Sequence, residues 1–241
     1  MHPYLLFIIA SIAPAMIILL YFYKKDRNRE PMALLAKCFS GGILAAFICF
    51  CISALTKNNF SFYFSYDSSL SAPWLIMVLL PDTLKWLILW LMVRKNKEFN
   101  EHADGIVYAV FQTMGFALMI HLLQIWTANE MHGFILITLV PVQLIHGIMM
   151  GFYFALARFS SGKPKNTYLF FSWLLPVFLQ GLDNFIFKKI IFGPAFEPYA
   201  MSFIVAAYTL VGMKFWKLSQ WQLQSSKPVS IWNILKNNFK R

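Results

Sequence analysis

The sequence predicts an all-α protein, a polytopic transmembrane helical bundle of about seven transmembrane helices, with the N-terminus outside and the C-terminus in the cytoplasm. Three observations indicate this fold class: the composition, the recurrence of long apolar runs, and the uneven distribution of cationic residues. Of the 241 residues, 59% are hydrophobic and only 13% are charged. Because ordinary soluble domains carry far more charge, the composition argues against a soluble fold.

Apolar runs of about twenty residues, enough to cross a hydrocarbon core of about 30 Å, recur along the whole chain. They predict spans near residues 3–23, 33–55, 73–93, 105–126, 134–157, 168–187 and 198–216. So little sequence is left between them that we expect one helical-bundle domain over residues 1–218. Residues 219–241 combine apolar positions at near-helical spacing with cationic ones, which predicts a basic amphipathic tail on the cytoplasmic surface. A disordered basic tail is the alternative.

The cationic residues determine the expected orientation. Sixteen of the 21 Lys and Arg residues fall on one side of the predicted membrane, where cytoplasmic loops concentrate such residues. The opposite loops hold Lys57, Lys188 and Lys189. The net charge of +11 therefore reflects topology, and no nucleic-acid partner is expected, since no folded face outside the membrane is large enough to supply readable contacts.

Titratable side chains occur inside four predicted spans, where a charged group costs at least about 2.5 kcal/mol on insertion scales and usually marks function. Asp82 and Lys85 are three residues apart and so lie on one helical face, where they can neutralise each other as a structural ion pair. The polar groups of these spans are Asp82, Lys85, His121, His146, Gln180 and Asp183.

The expected depths of these groups suggest that they converge. A rise of about 1.5 Å per residue from each cytoplasmic helix end places Asp82, His146 and Gln180 at roughly 16–18 Å, and Asp183 and His121 at about 22–24 Å. Such a cluster suits metal-activated or carboxylate-activated water attacking a carbonyl, and it equally suits a proton or ion pathway. For His121 taken singly, an interhelical hydrogen bond is the simpler interpretation.

Small residues indicate where helices approach closely. Gly115 and Ala117 lie in span four, and Gly147 and Gly151 form a small-xxx-small face in span five. His146 immediately precedes that face. We therefore expect close packing around this histidine.

Short motifs follow one another in the order of a known family. They are Tyr21-Phe22-Tyr23, Glu30-Pro31, Asp104-Gly105, Gly115-Phe116-Ala117, His146 with Gly151, Ala157-Arg158, and Gln180-Gly181-Leu182-Asp183. In this order, over roughly residues 21–188, the chain resembles the PrsW-type intramembrane proteases, which are distantly related to the CAAX prenyl endopeptidases.

The resemblance is incomplete at the family's active-site motifs. The family's Glu-Glu-x-x-Lys is represented by Pro81 and Asp82 with Lys85 retained. A Glu-Asn pair after Gly-Phe-Ala is replaced by residues 120 and 121, an isoleucine and a histidine, and the later histidine of His-Gly-x-x-Asp is replaced by Gln180.

The resemblance implies hydrolysis of peptide bonds in or beside the membrane. Asp82 would act as a base or water-orienting group, His146 and Asp183 as metal ligands or proton carriers, and Lys85 as a counter-ion. His121, His146 and Asp183 are a candidate zinc site, since zinc accepts these ligand types.

Two other functions stay open at this point. A catalytically inactive family member would bind or regulate membrane proteins through the same groove, and a small transporter would use the buried charges as an ion pathway. The expected partners are a membrane-protein substrate or binding partner and the lipid bilayer. The family's bacterial members suggest the plasma (inner) membrane.

Overall fold

The computed structural model describes residues 3–26, 28–55, 72–127, 133–160, 163–189, 206 and 209–217. Six long helices follow one another in these ranges, and residues 206 and 209–217 are helical as well. The six are α1 Pro3–Lys25, α2 Met32–Leu55, α3 Ala72–Val93, α4 His102–Thr127, α5 Gly133–Phe159 and α6 Lys163–Lys189. The described part of the chain contains no strand, so the predicted all-α class is confirmed.

The bounds of the six helices agree with the first six predicted spans to within about five residues. Much of the seventh predicted span, 198–216, lies outside the described residues. Long apolar runs form helices because a helix satisfies every backbone polar group within one segment, as a bilayer requires. Within the described residues, three helical stretches are long and apolar enough to cross a membrane, namely Met32–Leu55, His102–Leu123 and Val140–Phe159. The number of crossings and the orientation stay predictions. The predicted tail, residues 219–241, lies outside the described residues.

Helix α4 occupies the centre of the bundle and packs against α1, α2, α3 and α5. Glycines allow this close packing: a methyl group on Gly42 of α2 would overlap the Gln112 carbonyl oxygen, and one on Gly115 of α4 would overlap the Phe39 carbonyl oxygen. Gly105 and Gly151 face each other's backbones in the same way between α4 and α5. The close approach expected at Gly115 and Gly151 is therefore confirmed.

Two hydrogen bonds between tryptophans and hydroxyl groups join α3 to α6. Trp86 Nε1 donates to Ser172 Oγ at 2.8 Å, and Trp173 Nε1 donates to Thr83 Oγ1 at 2.9 Å. Each helix supplies one donor and one acceptor, so the contact resists sliding of one helix along the other. This contact positions the middle of α3 against α6.

Candidate active site

The structure brings four predicted site residues together from three helices. Asp82 and Lys85 lie on α3, His146 on α5 and Asp183 on α6. The side chains of Asp82, Lys85 and His146 are fully buried, and that of Asp183 is 2% exposed. Since an isolated buried charge is costly, the four groups must compensate one another.

His146 lies between the two carboxylates. Its Nε2 is 3.1 Å from Asp183 Oδ2, and its Nδ1 is 3.4 Å from Asp82 Oδ2. The first distance is a hydrogen bond, while the second is too long for one in this arrangement. If Nε2 carries the proton that it donates to Asp183, Nδ1 is left as a basic lone pair on the side of Asp82. The imidazole therefore connects the two acids.

Lys85 neutralises Asp82 and anchors α3 to its neighbours. Its ammonium lies 2.6 Å from Asp82 Oδ1 and donates to Gln143 Oε1 of α5 at 2.7 Å. The ammonium also lies 4.6 Å from the centre of the Phe116 ring, at cation–π distance. Gln112 of α4 donates to the Lys85 carbonyl oxygen at 2.9 Å. The charge of Lys85 is thus held by contacts from three helices.

The roles of Gln112 and Gln143 could be predicted only in part. Gln143 lies about one turn before His146, so a shared polar face was visible in the sequence. Its hydrogen bond with Lys85 of α3 could not be predicted, because the spacing of residues along one helix does not show which side chain of another helix they face. Gln112 offers no comparable signal.

His121 makes no hydrogen bond to the Asp82–His146–Asp183 chain of contacts. His121 is fully buried on α4, and neither of its ring nitrogens has a hydrogen-bond partner among the described residues. Gln180 is buried one turn before Asp183 on α6. Of the five groups expected to converge, Asp82, His146 and Asp183 are in direct contact with one another through His146.

The fold and this buried set of acids, ammonium and imidazole define a helical membrane protein with an interior acid–base cluster. Comparison with known proteins is more specific, since residues 30–213 match the model of the PrsW family intramembrane metalloproteases. The chain belongs to this family.

The similar proteins include three bacterial proteins called Protease PrsW. The Bacillus subtilis (strain 168) protein is 36% identical over 184 residues, which cover 73% of this chain and 80% of the relative. The Oceanobacillus iheyensis protein is 36% identical over 74% of this chain and 81% of the relative, and the Geobacillus kaustophilus protein 34% identical over 73% and 77%. No solved structure matches the chain.

The family description implies a metal ion, and the ligand geometry provides a test of whether the interior residues fit one. His146 presents its two ring nitrogens to two different carboxylates, and these nitrogens point in divergent directions. One imidazole therefore cannot bring both acids onto a single ion. The only described set of three or more His, Cys, Asp or Glu ligands with atoms within 4.8 Å of one another is Asp26, Glu30 and Asp104. As placed, the interior residues do not fit a three-ligand metal centre.

Proposed function

We propose that this chain is an intramembrane endopeptidase that hydrolyses peptide bonds of membrane proteins with Asp82, His146 and Asp183 as its acid–base chain. Family membership supports the reaction class. The observation that carries the assignment is the position of His146 between two buried carboxylates on two other helices. A histidine with a purely structural role needs only one carboxylate partner, whereas a histidine that transfers a proton uses both of its ring nitrogens.

The reaction requires an attacking water, a base to take its proton and an acid to protonate the leaving amine. Asp82 would orient the water, and His146 Nδ1 would accept its proton as the oxygen attacks the carbonyl carbon. The same nitrogen would then return that proton to the amide nitrogen as the C–N bond breaks. Asp183 would hold Nε2–H throughout, which fixes the ring orientation and stabilises the transient imidazolium.

Lys85 has an electrostatic role in this scheme. Its ammonium, 2.6 Å from Asp82, compensates the negative charge of that carboxylate where both side chains are fully buried. Gln143 and the Phe116 ring hold that ammonium from the other sides. Lys85 is therefore a positioning and charge-balancing group that does not itself transfer the proton.

The depth of the cluster defines the substrate class. Reacting groups that are buried among membrane helices can reach only a peptide bond that enters the bilayer, so the substrate is a membrane-spanning segment that has locally unwound. The bacterial relatives support the plasma membrane as the place of this reaction.

The assignment is tested by co-expressing the chain with a library of tagged single-span membrane segments and measuring the shortened products. We expect the wild type to cleave a subset, and Asp82→Asn and His146→Ala to produce none of those fragments at equal expression. Leu182→Ala is the matched control, because this neighbour of Asp183 is exposed at the bundle surface. Cleavage of the same segments by His146→Ala would refute the assignment.

Zinc bound through His121, His146 and Asp183 stays a prediction that requires a different placement of these side chains. Near-stoichiometric zinc in the purified wild type that is lost in His146→Ala would support it. No step of the proposed reaction depends on that ion.

A non-catalytic binding function is the second candidate, and one contact favours it. Lys85 at 2.6 Å engages Asp82 as a closed ion pair, the arrangement expected of a structural contact. In that case the wild type would capture single-span segments without shortening them, and His146→Ala would capture them equally well.

A further inference from the structure

A second group of buried acids lies away from the candidate active site, where the α1–α2 connection meets the start of α4. Asp26 and Glu30 come from that connection and are each 5% exposed, while Asp104 of the first turn of α4 is fully buried. One carboxylate oxygen from each residue lies within 4.8 Å of the other two. We call these three residues the carboxylate cluster.

The carboxylate cluster is well separated from the active-site contacts. Asp104 precedes Gln112, the α4 residue that bonds to the Lys85 carbonyl, by eight residues, or about 12 Å along the helix. The ion pairs found at the active site within the described residues join Asp82, Lys85, His146 and Asp183 to one another. A role for the cluster is therefore independent of the proposed reaction.

The hydrogen bonds that cap the start of α4 use only one of the two carboxylate oxygens of Asp104. Its Oδ2 accepts hydrogen bonds from the backbone amides of Asn100 and Glu101, at 3.0 Å and 2.7 Å. Its Oδ1 is buried without a hydrogen-bond partner, and so is Oε2 of Glu30. Buried oxygens are rarely left without a partner, because the cost of removing them from water is then uncompensated. These two oxygens indicate a missing ligand.

The electrostatic surroundings favour a cation as that ligand. Neither Glu30 nor Asp104 forms an ion pair with any described residue. A shared proton could bridge only one pair of oxygens, whereas a divalent cation can contact one oxygen of each of the three residues at once.

The donor atoms determine the class of cation. Carboxylate oxygens are hard ligands that suit Ca²⁺ and Mg²⁺ better than the softer transition metals. Two oxygens on one Ca²⁺ stand up to about 5 Å apart, twice the usual 2.3–2.6 Å bond, so the observed spread is compatible. The buried Tyr108 hydroxyl faces Glu30 and adds a neutral oxygen beside the acids.

We propose that Asp26, Glu30 and Asp104 bind one hard divalent cation of the Ca²⁺ or Mg²⁺ type. The ion joins the connection after α1 to the first turn of the central helix. Gly105, the next residue, packs directly against the backbone of α5, so the ion would fix the end of α4 where α4 and α5 are closest. Its role is structural and lies outside the acid–base chain.

The test is a binding titration of the full-length chain, purified in detergent and stripped with a chelator. CaCl₂ and MgCl₂ are added separately, and heat release and the midpoint of thermal unfolding are recorded. We expect one saturable site per chain for at least one of the ions, together with a higher midpoint. Asp104→Asn and Glu30→Gln should each weaken the affinity at least about tenfold, as expected for loss of a ligand.

Two controls decide the origin of any signal. Glu98→Gln removes an exposed acid close to the cluster and should leave affinity unchanged, and His146→Ala should also bind the ion as the wild type does. No saturable binding of either ion to the wild type at millimolar concentration would overturn the proposal, and this result does not depend on any variant folding. Wild-type affinity in both Asp104→Asn and Glu30→Gln would also overturn it.

Discussion

At the residue scale, the interior of this protein is organised around charge balance. Two carboxylates, one ammonium and one imidazole are buried together, and each charged group would alone cost at least about 2.5 kcal/mol in the bilayer. Pairing offsets that cost only while both partners are present. Removing one charged group should therefore lower the free energy of unfolding more than removing an oppositely charged pair.

Lys85→Met tests this charge balance. It leaves Asp82 as an uncompensated buried charge, which should lower the free energy of unfolding by about 3–5 kcal/mol. Adding Asp82→Asn should restore part of the loss, because the remaining group is then neutral. Unfolding of both single variants and the double variant in detergent gives the coupling energy, and strictly additive losses would show that the 2.6 Å contact has no energetic weight.

Asp183→Asn tests the role of the second acid. The amide keeps the size of the side chain but can present its NH₂ group to His146 Nε2, which favours the wrong tautomer for proton abstraction by Nδ1. We expect the cleavage rate to fall at least about 10²-fold while the unfolding midpoint changes little. Leu182→Ala should retain the wild-type rate. An unchanged rate in Asp183→Asn would remove this residue from the mechanism.

At the scale of the helices, backbone contacts around α4 set the geometry of the site. Gly42 and Gly151 each face a carbonyl oxygen of α4 with no room for a methyl group, whereas a methyl on Gly181 of α6 would meet only the Val78 side chain at an ordinary 3.4 Å. Small residues matter in membranes because helix association there depends on close packing. The sequence predicted Gly115, Gly147 and Gly151 as close-packing positions, but their opposing residues depend on the crossing of helices distant in sequence.

The glycine contacts allow a matched comparison. Gly42→Ala and Gly151→Ala should each destabilise the protein by about 1–3 kcal/mol, since backbone atoms cannot move aside as a flexible side chain can. Gly181→Ala should stay within about 0.5 kcal/mol of the wild type. Thermal and denaturant unfolding of the three variants provide the measurement, and equal effects at Gly181 and Gly151 would contradict the packing described here.

At the scale of the whole molecule, much of the architecture could be predicted from the sequence and part of the site could not. The spans could be located because about twenty apolar residues are the physical requirement for crossing a bilayer. Asp82 and His146 could be placed near one depth and Asp183 about one turn further, but the direction of each side chain depends on helix rotation. The carboxylate cluster was missed because Glu30 and Asp104 were interpreted only as parts of two separate family motifs, and Asp26 lies among cationic residues that were explained by topology.

The predicted orientation is tested by labelling single cysteines in a variant without the native ones. Glu98→Cys falls in a loop expected on the cytoplasmic side, and Asn129→Cys in one expected outside. A membrane-impermeant maleimide applied to intact cells should label only the second, and permeabilised cells should show both. The reverse pattern would invert the topology and move the carboxylate cluster to the outer face.

The most direct test of the central claim is identification of new protein N-termini in membranes from cells that express the wild type, His146→Ala or Asp82→Asn. Proteolysis by the buried acid–base chain predicts N-termini inside or beside spanning segments that occur only with the wild type, while both variants accumulate to the same level and unfold at a similar temperature. The same new N-termini in the His146→Ala membranes would contradict the account, since a site without its central imidazole would still be cutting.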